Sequence, residues 1–172
     1  MTGSTSPSDQ IKRWSVAGGV VVEGDRCLLV QNRRKNGATD WSTPGGVIDH
    51  GESVLGGLGR EVLEETGIEV GEWHGPLYRV EVDAPGFGFH MVAEAHRALT
   101  FSGELLIDDP DGIVIGAEFV TLDRASSLLG SAPVWVAEPL LAHLRDGVTD
   151  GRLFAYRLDG SSPVDRKVVR LQ

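Results

Sequence analysis

Residues Gly46 to Ile68 read GVIDHGESVLGGLGREVLEETGI, and the reading of this stretch decides the fold and the chemistry of the chain. Glu52 stands alone, then Arg60, Glu61, Glu64 and Glu65 arrive together just before Gly67. Ser53 is a good N-cap and Gly67 a good C′ residue, which predicts a helix between them. On that helix Glu61, Glu64 and Glu65 sit at i, i+3 and i+4, so their carboxylates leave from one face. They crowd its C-terminal end, where the helix dipole is negative and acids are least favoured. Like charges at these spacings cost about 0.2–0.5 kcal/mol each. Such a concentration calls for a cation. Hard oxygen ligands point to Mg²⁺, with Mn²⁺ as a substitute, rather than to zinc. Taken alone, E-x-x-E-E also reads as a solvated helix face.

The flanking residues separate the two readings. Gly46, five residues, Glu52, seven residues, Arg60-Glu61-Val62, one residue, Glu64-Glu65, one residue and Gly67-Ile68 resemble a complete Nudix box, the signature of the Nudix hydrolases. The box occupies 23 of 172 residues. The resemblance implies an α/β/α sandwich with a mixed β-sheet between helices. It implies a Mg²⁺-dependent enzyme that cleaves the pyrophosphate linkage of a nucleoside diphosphate derivative. Residue by residue, it makes Glu61, Glu64 and Glu65 metal ligands, with the backbone carbonyl of Gly45 completing the set. Glu52 and Arg60 become supporting members of the catalytic group, the arginine tying loop to helix through carboxylates. One of the glutamates, or a carboxylate from a later loop, would deprotonate the attacking water.

Outside the box the candidates are weaker. Arg33, Arg34 and Lys35 leave a predicted strand just before the site, where Nudix enzymes contact substrate phosphates; an ordinary basic loop reads the same. His50, in the box loop, is placed for a substrate contact or for solvent. Asp108, Asp109 and Asp111 form a second acidic cluster, Asp109 foremost as a further metal ligand, although aspartates beside Pro110 and Gly112 commonly build turns. Glu118 is a further candidate. Trp135, Phe87 and Phe89 could stack on a base, with core packing the stronger reading, and Trp41 reads as packing beside the active loop. His90 and His96 share a strand face but lack a third ligand for zinc.

Substrate identity is the faintest signal. The best reading is a (d)NTP or an oxidised nucleotide, giving a monophosphate and pyrophosphate in the MutT-like manner. Enzymes of that subclass often carry lysine after the Gly-Gly pair, where this chain has Val47. The alternative is an ADP-ribose or nucleotide-sugar pyrophosphatase, supported only by the spacing of Pro85. A non-catalytic nucleotide-sensing module is a third reading, disfavoured because every box carboxylate is present.

The length fits one domain, residues 13–172, after an N-terminal tail of residues 1–12 expected to be disordered. Hydrophobic residues at 41% and charged residues at 24% match a soluble globular chain. No apolar run is long enough to span a bilayer, and the start lacks a secretory h-region, so no membrane partner and a cytoplasmic setting are expected. Cys27 is the single cysteine, with the strand context of a small core residue. The net charge of −9 repels phosphate backbones and argues against long nucleic acid, while leaving a small nucleotide substrate open. Nudix proteins are commonly dimers, so a homodimer is also expected. Elsewhere the pattern predicts a hairpin of Trp14–Val22 with Cys27–Val30, and strands at 77–82, 90–99 and 113–122. Helices are predicted at 123–129 and 134–145, followed by a terminal hairpin at 153–158 and 167–171. Leu55, Leu58 and Val62 form the predicted buried stripe of the box helix. Three glycines inside that helix, Gly56, Gly57 and Gly59, suggest close packing or, alternatively, room for substrate.

Overall fold

The computed structural model describes residues 11–172. The expected tail falls mostly outside them, and Lys12 already belongs to the first strand. In chain order the elements are β1 (Lys12–Val20), β2 (Val22–Glu23), β3 (Arg26–Arg33), β4 (Thr39–Ser42), β5 (Gly45–Val47) and α1 (Val54–Thr66). There follow β6 (Glu69–Ala84), β7 (Phe89–Ser102), β8 (Val114–Thr121), α2 (Leu122–Leu128), α3 (Val134–Asp146), β9 (Arg152–Asp159) and β10 (Lys167–Arg170). Six strands make a mixed sheet in the order β10-β9-β6-β7-β1-β5. The pairs β1–β7 and β6–β9 run parallel and the rest antiparallel. A second, antiparallel sheet is centred on β3, which pairs with β2, β4 and β8. Sheets and helices stack as an α/β sandwich, the predicted class.

The predicted first hairpin needs correcting. Only Val22–Glu23 pairs with Arg26–Cys27, around the expected turn. β1 instead inserts between β7 and β5 in the mixed sheet. The residues before Val22 alternate toward two cores, so their best apolar partners lie in distant strands. The terminal hairpin forms as predicted, with Leu158 opposite Val168.

Two apolar clusters hold the layers together. The larger gathers Val20, Leu29, Val80, Val82, Val120, Leu129, Leu140, Phe154 and Tyr156, from both sheets and from the segments carrying α2 and α3. The smaller lies under α1 and joins Leu58 and Val62 to Ala17, Val21, Leu28, Ile68 and Ala98. Cys27 is buried in the larger cluster, and desolvation pushes its thiol up to about 12, so it is an inert packing residue.

Helix α1 starts and stops where its sequence dictates. Ser53 Oγ accepts a hydrogen bond from the Gly56 N–H at 3.1 Å. At the other end Gly67 adopts φ 74° and its N–H bonds Leu63 O at 2.8 Å. Leu58 and Val62 are fully buried, each contributing about 1.5–3 kcal/mol. Leu55, predicted to share that stripe, is 41% exposed, because it sits at the margin of the helix face.

The helical glycines divide. A Cβ on Gly57 would lie 2.8 Å from Ile48 Cδ1 and 2.9 Å from Glu52 Oε2, so a side chain there would have to displace the ends of both side chains. Around Gly59 the nearest atom is Trp73 Nε1 at 3.9 Å, an ordinary contact. Gly59→Ala is therefore expected to stabilise the fold by about 0.5–1 kcal/mol. That should raise the melting temperature by about 1–4 °C. A lower melting temperature would show that Gly59 carries a conformational demand of its own.

Candidate active site

The box residues meet where β5, the loop after it and the end of α1 converge. β5 lies antiparallel to β1, with Gly45 opposite Gly18 and Gly46 opposite Ala17. Gly45 has φ 137°, and a Cβ there would strike the Ala17 carbonyl oxygen. A Cβ on Gly46 would lie 2.6 Å from Glu61 Oε2. Gly45 needs glycine, because the backbone of β1 presses on it, whereas a side chain at Gly46 would displace the Glu61 carboxylate.

Arg60 organises the acids. Its Nε and Nη2 donate to Glu52 Oε1 and Oε2 at 2.9 and 3.0 Å, a bidentate contact. Nη1 donates to Glu61 Oε1 at 2.9 Å and to Glu64 Oε2 at 3.2 Å. Glu52 in turn accepts the Asp49 N–H at 3.1 Å, closing the loop onto the helix. Arg60, followed by that N–H, holds the Glu52 carboxyl below its usual range. The arginine thus joins loop to helix.

The three remaining glutamates differ in environment. Glu65 is buried, and its Oε2 accepts the Gly45 N–H at 2.8 Å. Burial, opposed by that hydrogen bond and reinforced by Glu61, Asp109 and Glu64, pushes its carboxyl up to about 8. Glu61 is also raised, mainly by burial, with Arg60 pulling the other way. Glu64 is the most open of the three. Desolvated, mutually repelling carboxylate oxygens beside a glycine backbone make a donor set that fits a hard divalent ion. Among the described residues no three His, Cys, Asp or Glu side chains are already converged on one point. Arg60 holds one oxygen of Glu61 and one of Glu64, and the Gly45 N–H holds one of Glu65.

A pH dependence follows. Glu65 has a higher pKa folded than its ordinary value of 4.5, so without metal its stabilising contribution is complete below about 4.5 and is lost as pH rises through about 8. In a chelator, the melting temperature should fall across that window, and Glu65→Gln should flatten the fall. Mg²⁺ should raise the melting temperature far more near pH 9 than near pH 5, where protons compete for the same oxygens. An equal Mg²⁺ effect at both ends would contradict this assignment.

The outlying candidates are placed as follows. Asp109 lies close enough to add to the charge around Glu65, but both its oxygens are used in its own loop. Oδ1 accepts the Asp111 N–H, and Oδ2 accepts those of Ile113 and Val114 at 2.7 and 2.8 Å. It is first a loop organiser. Asp108 is exposed; Asp111 is exposed too, though its charge reaches Glu61. Glu118 is taken up by a bidentate contact with Arg124. Arg34 is likewise committed, with Nε and Nη2 on the buried Asp40 at 2.7 and 2.6 Å. Arg33 and Lys35 are exposed beside it, as is His50. Phe89 and Trp135 pack against the larger core, as does Trp41, while Phe87 sits half-buried in the turn between β6 and β7. His90 faces Glu81 and Asp83, and His96 bonds Glu94, so the two histidines do not meet at a metal.

Sequence reasoning missed two features here. One is the polar cluster in which Asn32 Nδ2 donates to Asp40 Oδ1 at 3.3 Å and to Ser42 Oγ at 2.9 Å. The other is Trp14, stacked on Phe89 with ring centroids 5.2 Å apart. An aspartate flanked by strand residues was the only signal for the first, and an aromatic at alternate spacing on β1 for the second.

The NUDIX domain family model matches residues 12–143. The chain belongs to the Nudix family. Among Nudix relatives, it is 52% identical over 56 residues to a "MutT-like protein" of Streptomyces ambofaciens, covering 33% of this chain and 34% of that one. It is 38% identical over 55 residues to the "Oxidized purine nucleoside triphosphate hydrolase" of Mus musculus, covering 32% and 35%. These alignments span about a third of either curated relative. Among solved structures, a MutT NUDIX hydrolase from Burkholderia pseudomallei superposes with a TM-score of 0.58 at 31% identity, covering 65% of this chain and 85% of that one. The Nudix fold therefore extends well beyond the box.

Proposed function

We propose that this Nudix protein is a divalent-metal-dependent pyrophosphohydrolase of small nucleotides, acting best on a (d)NTP or oxidised nucleotide and releasing a monophosphate and pyrophosphate. The observation that carries this is the gathering of Glu61 against Gly46 and Glu65 against Gly45, with Glu64 joined to Glu61 through Arg60. The similarity to the mouse "Oxidized purine nucleoside triphosphate hydrolase" supports a triphosphate substrate. Mg²⁺ held by Glu61, Glu64, Glu65 and the Gly45 carbonyl would polarise phosphoryl oxygens and acidify an attacking water. The chain's own part is to hold these carboxylates in place. Gly45 N–H fixes one oxygen of Glu65, and Arg60 keeps Glu61 and Glu64 from repelling one another. A carboxylate of the cluster takes the proton of the water as it attacks phosphorus. Arg33, exposed at the end of β3, is positioned to meet substrate phosphates, whereas Arg34 serves Asp40. A cytoplasmic setting is part of this proposal, supported by the lone buried thiol; among the described residues no helix is long and apolar enough to cross a membrane.

The test is an activity panel with Mg²⁺ containing dGTP, 8-oxo-dGTP, ATP and ADP-ribose, read by product identity. Monophosphate plus pyrophosphate from a triphosphate is the expected result. Preferential cleavage of ADP-ribose would redirect the assignment to the nucleotide-sugar class. Nucleotide binding without turnover of any compound would overturn the enzymatic reading in favour of a sensor.

A further inference from the structure

The chain holds two asparagines, Asn32 and Asn36, in opposite surroundings. Asn32 is buried on β3, and its Nδ2 donates to Asp40 Oδ1 and Ser42 Oγ. The N–H that follows it, on Arg33, is tied to Ile113 O at 2.8 Å. Asn36 sits instead in the turn of residues 34–38 that joins β3 to β4, and every residue of that turn is exposed. Backbone bonds close the turn, from Arg34 N–H to Ala38 O at 2.8 Å and from Gly37 N–H to Arg34 O at 2.9 Å. Asn36 Oδ1 accepts the Ala38 N–H at 3.0 Å. Gly37 has φ 83°, and a Cβ there would meet nothing within 4 Å.

We infer that Asn36 is a site of spontaneous modification, converting to aspartate and isoaspartate through a cyclic imide with Gly37. Hydroxide takes the Gly37 amide proton, the nitrogen bonds to Asn36 Cγ, and the Cγ–Nδ2 bond breaks. Nδ2 leaves as ammonia after taking a proton from water. A further water then opens the imide. Addition at Cγ breaks the new bond and gives aspartate. Addition at the main-chain carbonyl breaks the original peptide bond and gives isoaspartate, with the chain rerouted through Cγ. Water is the only co-reactant, and nothing is oxidised or reduced. The turn favours these steps. The Ala38 N–H polarises the carbonyl under attack, and glycine leaves the nitrogen unobstructed. Arg33, Arg34 and Lys35 supply positive charge that favours the deprotonated nitrogen. The Gly37 N–H must first leave Arg34 O, and one bond in an exposed turn opens at little cost. Asn32 lacks these conditions, since its amide is anchored and the following N–H belongs to the strand pairing. The product also changes the charge of the loop. Arg34 is spent on Asp40, so a carboxylate at position 36 offsets one of the two charges that Arg33 and Lys35 present. An effect on substrate rests on the reading of Arg33 as a phosphate contact, whereas the conversion itself does not.

Peptide mapping by mass spectrometry, on the whole folded chain held near pH 6 and near pH 8, reads the conversion directly. Residue 36 should convert faster near pH 8, with isoaspartate in excess of aspartate and Asn32 unchanged. Asn36→Gln should stay unmodified, because its ring would have to close through one more atom. The inference is overturned if Asn36 survives at both pH values, or if Asn32 converts at a comparable rate. It is equally overturned if isoaspartate is found only at Asp-Gly pairs such as Asp111–Gly112, or if residue 36 yields aspartate alone, which marks direct hydrolysis without the imide. Kinetics with dGTP and Mg²⁺ read the effect on substrate separately. Asn36→Asp should raise KM by up to about fivefold, the scale of one exposed charge, with kcat unchanged, and added salt should shrink the difference. An unchanged KM overturns the effect on substrate and the phosphate role of Arg33, while the mapping alone decides the conversion.

Discussion

Glu64→Gln should lower kcat by about two to three orders of magnitude, the scale on which removal of one preorganised electrostatic partner acts. The melting temperature should stay close to wild type. Glu64 is the most open of the three cluster glutamates and makes one hydrogen bond, from Arg60 Nη1 at 3.2 Å, so little of the fold depends on its charge. Arg60 retains Glu52 and Glu61 when that contact goes. Glutamine keeps the shape and one oxygen but removes the negative charge that a divalent ion requires. Steady-state kinetics beside a thermal melt measure both halves of this expectation. Turnover within a few-fold of wild type would remove Glu64 from the metal-binding set. Glu65→Gln tests the neighbouring position differently, because its side chain is buried and tied to Gly45, so its loss should change both activity and the pH dependence of stability.

Gly45→Ala should be the most damaging single-methyl change within the box strand β5. The residue needs φ 137°, a conformation that costs a side-chain-bearing residue about 1–3 kcal/mol. The added carbon would also be driven into the carbonyl of Ala17, backbone that cannot yield without moving β1, and such overpacking adds about 1–3 kcal/mol. Together the fold should lose several kcal/mol. Activity should fall further than stability alone explains, because β5 must shift and the Gly45 N–H then leaves Glu65. Denaturant unfolding and turnover on the surviving folded fraction separate the two effects. A variant that unfolds like wild type would mean the strand can relax around the methyl group.

The box helix was legible because everything that specifies it is local. Ser53 and Gly67 fix its ends, and the i, i+3, i+4 spacing of its glutamates fixes their common face. The same locality explains why the stripe through Leu58 and Val62 was read correctly while Leu55 was not. Periodicity marks a face but not its margin, which depends on what packs beside it. The first hairpin misled for a related reason. Its turn residues are local signals, but the choice of partner for β1 is made by β7 and β5.

By itself the sequence determined the Nudix pattern, the helix that bears it and the identity of the acids, since these follow from residue type and spacing along one chain segment. Tertiary structure alone decided how those acids differ. Glu65 is raised to about 8 because β5 and the neighbouring acids surround it, whereas Glu64, one residue away, stays open. Only the fold shows Arg60 hydrogen-bonding three carboxylates at once, Arg34 turned to Asp40, and Asp109 spent on its own loop. Desolvation, strand partnership and the competition for a guanidinium depend on groups brought together from distant parts of the chain. For the same reason Trp14, unremarkable in sequence, meets the Phe89 ring only when β1 lies beside β7.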